Sequence, residues 1–185
     1  GGEGEAAGPV LTSTRGTGPG GARFESAIVI KGPLLPFTKD VIAFYGRTLP
    51  PEVGVVFSHT DGPCFSQTRL SELRMLEAEN ANFAWTINAH PPVTGANYRN
   101  VQRESTYFGA KFAADALGAK FIFTQRADTI FQNASRLFPD LRRVRDAQPP
   151  PLVPMPGGRI GMCPTQLQLT DTYGRFHLDD HCMFG

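Results

Sequence analysis

Residues 120–134, KFIFTQRADTIFQNA, carry the reading of the fold. Phe121, Ile122 and Phe123 run through Thr124 straight into Gln125-Arg126-Ala127-Asp128. A short apolar run with a glycine ahead of it reads as a buried strand over 119–124. An arginine and a carboxylate are costly to bury unpaired, so a strand that ends in both points to a ligand site at its carboxyl edge. Just upstream, residues 98–117 read as the longest helix. Phe108, Phe112 and Ala116 line one face of it, with Val101 and Ser105 below, and Gly118 stands where a left-handed residue closes a helix.

The alternation extends toward the N-terminus. Ser26 to Pro33, SAIVIKGP, is a β-branched run stopped by Gly-Pro, a strand. A helix follows, with Thr38 as N-cap and Phe37 and Ile42 as a hydrophobic staple. Val41, Ile42, Tyr45 and Leu49 form its apolar face, and Pro50-Pro51 ends it. A second strand starts at Val53, a short helix at about Leu70, and a third strand covers 83–88. Strand, helix, strand of this kind makes right-handed, parallel βαβ units. Downstream, residues 128–146 read as helical with a break at Pro139. A Pro-rich connection over 147–158 leads to a fifth strand over 159–166. The pattern predicts an α/β fold with a mostly parallel sheet sandwiched by helices. Ligands in such folds bind beyond the carboxyl ends of the strands. Those ends are Lys31-Gly32-Pro33, Ser58-His59-Thr60-Asp61, Asn88-Ala89-His90 and Gln125-Arg126-Ala127-Asp128, all polar or turn-forming.

Composition narrows the function classes. The chain has 185 residues, 41% hydrophobic and 19% charged, with a net charge of +1. That length supports one sizeable core, and the charge includes no basic block of the kind phosphate-backbone binding needs. Cys64, Cys163 and Cys182 include no C-x-x-C pair, hence neither a disulfide framework nor a structural zinc site. No run approaches the roughly 18 apolar residues of a membrane-spanning helix. Residues 1–23 are Gly-rich and nearly free of large apolar side chains, which predicts a disordered leader ahead of a single domain over 24–185.

Neither G-x-G-x-x-G nor G-x-x-x-x-G-K-[ST] occurs, so a dinucleotide fingerprint and a P-loop are both unsupported. Gly32 and Pro33 after the first strand leave room for a nucleotide against the backbone or form a plain turn. Asp128 is placed to hold a divalent metal that bridges a diphosphate, whereas Arg126 can neutralise phosphate without one. The alternative is that the two side chains pair with each other and Asp128 caps the next helix. Gln102, Arg103, Ser105 and Thr106 lie at the start of the long helix, where phosphates are attracted, although Arg103 reads more readily as solvent-facing. His177 and His181 sit at i and i+4 in HLDDH, a spacing that can hold zinc on a helix, but Leu178 stands where a zincin has Glu. Asp179 and Asp180 between them offer a base or a contact to a sugar hydroxyl, or form a solvated loop.

Four segments in order, AIVIKGPL, NVQRESTYFG, FIFTQRADTIF and DDHCMFG, resemble the WavE lipopolysaccharide-synthesis family. The match is carried by Gly32-Pro33, by Asn100, Gln102, Ser105 and Thr106, by Arg126-x-Asp128, and by Asp180 with Met183-Phe184-Gly185. Lys31 and Val101 replace the Gln and Arg of the family pattern. The resemblance spans 27–185 and implies a GT-A-like nucleotide-diphospho-sugar transferase domain, truncated at its C-terminus where the last motif ends.

It implies a glycosyltransferase that moves a sugar from a nucleotide-sugar donor to a saccharide acceptor in polysaccharide or lipopolysaccharide synthesis. Gly32, Pro33, His59, Thr60, Gln102, Arg103 and Arg126 would bind the donor. Asp128 and Asp180 would be catalytic, with Asp128 and His181 holding manganese or magnesium. The partners are then the donor and a glycan, with no nucleic acid. The setting is the cytoplasmic side of the membrane, peripherally bound, in a bacterium, or the Golgi in a eukaryote. The competing readings are a non-catalytic nucleotide- or glycan-binding domain of the same fold and a zinc hydrolase using His177 and His181.

Overall fold

The computed structural model describes residues 9–15, 23–60, 66–131, 133–147, 161–162 and 182–184. Strand β1 spans Pro9–Thr12, β2 Ser26–Lys31, β3 Val53–Thr60, β4 Phe83–Asn88 and β5 Phe121–Arg126. Two short strands follow, β6 at Gly161–Met162 and β7 at Cys182–Phe184. The helices are α1 Pro36–Thr48, α2 Gln67–Glu79, α3 Arg99–Asp115 and α4 Ala134–Ala147. All seven strands form one sheet in the order β1-β4-β3-β2-β5-β7-β6. The central strands β4, β3, β2 and β5 run parallel, while β1 and β7 pair antiparallel at their flanks, with β6 antiparallel beyond β7. This is the α/β, mostly parallel arrangement expected from the alternation, and it is compatible with a Rossmann-like fold.

The parallel strands are buried on both faces, so β2 and β4 read as continuous apolar runs. On one face α3 and the turn after it lay Phe112, Ala113 and Leu117 on Ala27, Val29, Val56 and Ala84. On the other, α1, α2 and α4 pack Ile42, Tyr45, Leu73, Leu76 and Phe138 around Ile28, Val55, Phe57 and Phe123. The protein is thus a sheet sandwiched between two helical layers. Gly109 is what lets α3 approach: a Cβ there would stand 2.6 Å from both Ser58 Cβ and Val29 Cγ1.

Several boundaries differ from the expectations. Part of the predicted leader is ordered structure: β1 pairs with β4, Ser13 donates to the Trp85 carbonyl at 2.9 Å, and Ser13 is buried. Arg15 explains the docking, because its guanidinium donates to the Glu77 and Ala81 carbonyls at the end of α2 and just beyond it. Helix α1 starts at Pro36, with Leu35 rather than Thr38 as N-cap. Thr38 is one turn inside, where its hydroxyl accepts from Leu35 N–H and donates to the Pro33 carbonyl. Phe37 is 45% exposed and makes no staple.

Strand β5 runs on to Arg126 because parallel pairing with β2 carries through Lys31. Pro139 lies inside α4 and does not end it. Of the predicted fifth strand, Gly161–Met162 is the described part, and it pairs antiparallel with β7 rather than joining the parallel set. Strand β7 itself was not expected. Cys64, Cys163, His177, Asp179, Asp180 and His181 lie outside the described residues.

Candidate functional site

The carboxyl end of β2 is where the strand order reverses. From β2 the chain passes through α1 to β3 and on to β4, and then returns through α3 to β5 on the other side of β2. Because α1 and α3 lie on opposite faces, a crevice opens between the ends of β2 and β5, as it does at such switch points generally. Backbone bonds carry the ladder past the strands: Ala127 N–H donates to the Lys31 carbonyl at 2.8 Å and Gly32 N–H to the Ser58 carbonyl at 3.2 Å. Gly32 has φ +138° and a Cβ there would lie 3.2 Å from Ala127 Cβ, so a glycine permits this closure.

A cleft of about 530 Å³ sits at this point. Lys31, Gly32, Pro33, His59, Thr60, Arg126, Ala127 and Asp128 line it from the strand ends, and Tyr98, Val101, Gln102 and Ser105 from the start of α3. Leu35 and Phe37 close it beside α1. Of the sequence-predicted donor residues, Gly32, Pro33, His59, Thr60, Gln102 and Arg126 are brought together here, with Asp128 beside them. Arg103 is not among the lining residues; it is exposed, the next helical position turning away from Gln102. Thr106 donates to the Gln102 carbonyl at 2.8 Å, a bond within the helix. The predicted catalytic Asp180 and metal ligand His181 lie outside the described residues.

The α3 wall is fixed by hydroxyls. Ser58 Oγ donates to the Ser105 carbonyl at 2.6 Å, and Thr60 Oγ1 lies 2.6 Å from Ser105 Oγ. Asn88 Nδ2 donates to Ser58 Oγ at 3.1 Å and to the His59 carbonyl at 3.2 Å. This buried network binds the ends of β3 and β4 to α3, and satisfied networks of this kind rigidify what they join. At the head of α3, Tyr98 holds a left-handed backbone with φ 58° and is 65% exposed. A tyrosine there costs of order 1 kcal/mol, a strain that concentrates at functional sites.

The charged residues of the cleft are organised in pairs. Lys31 and Arg126 are register partners on adjacent parallel strands, and Lys31 is only 5% exposed. Arg126 donates from Nε to Asp128 Oδ1 at 3.0 Å and from a terminal nitrogen to Oδ2 at 2.6 Å. The pair is 40% and 44% exposed, so it adds at most about 1 kcal/mol to stability. The described lining therefore carries two cationic groups against one carboxylate. His59 Nδ1 lies 3.1 Å from the Gly32 carbonyl. A carbonyl only accepts, so Nδ1 carries a proton and Nε2 is the acceptor nitrogen of the neutral ring. The ring also stacks on Phe57 at 15°.

The described residues alone make no site for the divalent cation that the resemblance implied, whose second ligand, His181, lies outside them. Both oxygens of Asp128 accept from Arg126, and among the described residues no three His, Cys, Asp or Glu side chains gather as a metal site. Asp128 does not cap a helix either, since α4 begins at Ala134. The sequence reading missed Phe37, Tyr98 and Leu35 as lining residues. The signal for Tyr98 was its place at the head of a helix opened by Gly95, whereas Phe37 had been assigned to a staple. On the far side of Phe37 and Asp128 a shallower groove of about 620 Å³ runs along α1, past Asp40, Phe44 and Arg47 to Ile130.

No protein-family model matches the chain, and no curated protein matches it in sequence.

Proposed function

We propose that the cleft binds the diphosphate of a nucleotide-sugar donor and that the protein is a GT-A-like glycosyltransferase acting on a saccharide acceptor, in polysaccharide or lipopolysaccharide synthesis. The observation that carries this reading is the coincidence of a cleft, cationic by one charge among its described lining residues, with the point of strand reversal. Lys31 and Arg126 supply the positive charge a diphosphate needs, and a guanidinium suits a phosphoryl group because it donates two bonds in one plane. Phe37 and Tyr98, both exposed, offer rings for the base or a sugar. The α1 groove, with Phe37 and Phe44 beside Asp40 and Arg47, has the mixture of rings and hydrogen-bonding groups that suits the acceptor.

In the transfer, an acceptor hydroxyl oxygen bonds to the anomeric carbon as the bond from that carbon to the diphosphate oxygen breaks. The leaving diphosphate takes the electron pair, and Lys31 and Arg126 hold its charge. The hydroxyl proton passes to a base, for which Asp180 is our assignment. Asp128, released from Arg126 as phosphate takes the guanidinium, would then orient the acceptor. A second reading is a non-catalytic nucleotide-binding domain, favoured by the engagement of Asp128 and by the lack of a second carboxylate among the described lining residues.

A thermal-shift screen of nucleoside diphosphates and nucleotide sugars, with and without manganese, tests the binding. A ligand at about 100 times its Kd stabilises by about 2.7 kcal/mol. We expect a metal-independent rise in melting temperature for the wild type that Arg126→Ala abolishes. Asp128→Asn should keep the rise and lose transfer. A rise that Arg126→Ala leaves intact sinks the site assignment. Transfer at the wild-type rate in Asp128→Asn removes that carboxylate from the mechanism.

A further inference from the structure

Neither Tyr45 nor Gln125 lines the cleft, and both are fully buried. Tyr45 sits in α1 with its hydroxyl 2.9 Å from the Phe131 backbone nitrogen and 3.0 Å from Gln125 Oε1. Proton counting sets the direction. Phe131 N–H donates to the phenol oxygen, and the phenol donates its single proton to Gln125 Oε1. Gln125 Nε2 then donates to the Thr129 carbonyl at 2.9 Å. The chain of three bonds is anchored on either side of Asp128, at positions 125, 129 and 131.

Beside that chain, the paired hydrogen bonds between Arg126 and Asp128 also hold the segment. Asp128 and Ile130 are exposed, and the burial that does exist comes from Ala127 and from Phe131 standing edge-on to Phe123 at 5.3 Å. Backbone bonds fix the first residues, through Ala127 to Lys31 and Thr129 to Arg126. Beyond Thr129, among the described residues, the Tyr45 hydroxyl bond and the packing of the Phe131 ring on Phe123 hold the loop. Leu35 and Phe37, just before and in the first turn of α1, line the same cleft. Tyr45 therefore links α1 to the loop that follows β5.

We infer that Tyr45 and Gln125 are positioning residues for the cleft: their buried hydrogen-bond chain holds residues 127–131 in the conformation that presents Arg126 to the diphosphate and Asp128 to the acceptor. This rests on the reading of the cleft as a donor site. Loss of the hydroxyl leaves Gln125 and the Phe131 amide without their shared partner and loosens the loop, while Arg126 itself stays in β5.

The test uses the full chain as wild type, Tyr45→Phe, Gln125→Met and Leu73→Ala. The last is a control, since Leu73 is fully buried in the core under α2 and away from the cleft. Calorimetry with UDP, GDP, CDP and ADP reads affinity, and amide hydrogen exchange reads the loop. Tyr45→Phe and Gln125→Met should each weaken the tightest-binding diphosphate roughly three- to tenfold. The Phe131 amide should exchange faster in both, with the rest of the sheet unchanged, and Leu73→Ala should leave the affinity as it is. If Tyr45→Phe binds as tightly as wild type, or if Leu73→Ala weakens binding as much, the positioning role is overturned. If the wild type binds none of the four diphosphates, the reading of the cleft falls instead. Exchange at Phe131 then decides alone whether the hydroxyl holds the loop, and no change there overturns it.

Discussion

Tyr45 shows how one buried group connects structure to solution conditions. Burial raises its pKa above the ordinary phenol value, against smaller opposing effects of the hydrogen bonds to Phe131 and Gln125. A raised pKa means that the fold prefers the protonated phenol. Its contribution to stability is complete below about pH 10, where the unfolded chain titrates, and is lost as pH climbs from there through the folded value. Urea unfolding at about pH 8 and about pH 11 should show a larger loss for wild type than for Tyr45→Phe. Equal losses in the two proteins would mean that Tyr45 does not titrate in this way. Tyr45 was legible in the sequence only as a member of an apolar helix face. Its partners stand 80 and 86 residues away, a separation no local pattern encodes. Arg126 and Asp128 were legible as strand-end charges because a short apolar run ends in them. That they pair with each other was one of two readings the spacing left open.

At the scale of the element, α3 is the piece whose placement matters most. It opens at the strained Tyr98, it is tied to β3 by hydroxyls, and Gly109 lets it lie close to the sheet. Gly109→Ala would bring a methyl within 2.6 Å of two neighbouring atoms, one of them the Cβ of Ser58. Overpacking of this kind costs about 1–3 kcal/mol, even though alanine suits a helix better than glycine. We expect a lower urea midpoint and, because α3 forms a wall of the cleft, weaker diphosphate binding. A variant as stable as wild type would show that the helix can shift at no cost. Helix positions were readable from the 3.6-residue pattern, and so were the stop at Pro50-Pro51 and the left-handed Gly118 after α3, but the start of α1 and the course of α4 were not. Thr38 looks like a cap, yet Pro36 starts α1 because its fixed φ suits a first turn. Pro139 looks like a break, yet α4 continues through it under the burial of Ala134 and Phe138. Tertiary packing decided both.

The whole molecule adds edges to a parallel core. Strand alternation announced the four central strands, since each is a compact apolar run. It did not announce the antiparallel flanks, which are short and carry weak patterns of their own. β1 lies inside what composition marked as leader, because Gly-rich surroundings mask the segment PVLT. Its role is to cover the outer edge of β4, an exposed pairing surface that otherwise invites association between molecules. A chain lacking residues 1–15 should lose stability and form concentration-dependent oligomers, readable by size-exclusion chromatography with light scattering. Arg15→Ala alone should act in the same direction more weakly, through loss of the bonds to Glu77 and Ala81. A truncated chain that stays monomeric and equally stable would deny β1 that role.

The sole tryptophan of the chain, Trp85, occupies the place where this edge is closed. Its carbonyl receives Ser13, its indole nitrogen donates to Glu77 Oε2 at 2.8 Å, and it is only 4% exposed. Tryptophan emission, excited selectively over the four tyrosines, is therefore a signal from a single position, sensitive to whether water reaches the seam between β1, β4 and α2. Rapid-mixing fluorescence can follow the arrival of the N-terminal strand during refolding without any added label. Events at the cleft, at the carboxyl ends of β2, β3 and β5, can then be timed separately by the binding of a nucleotide.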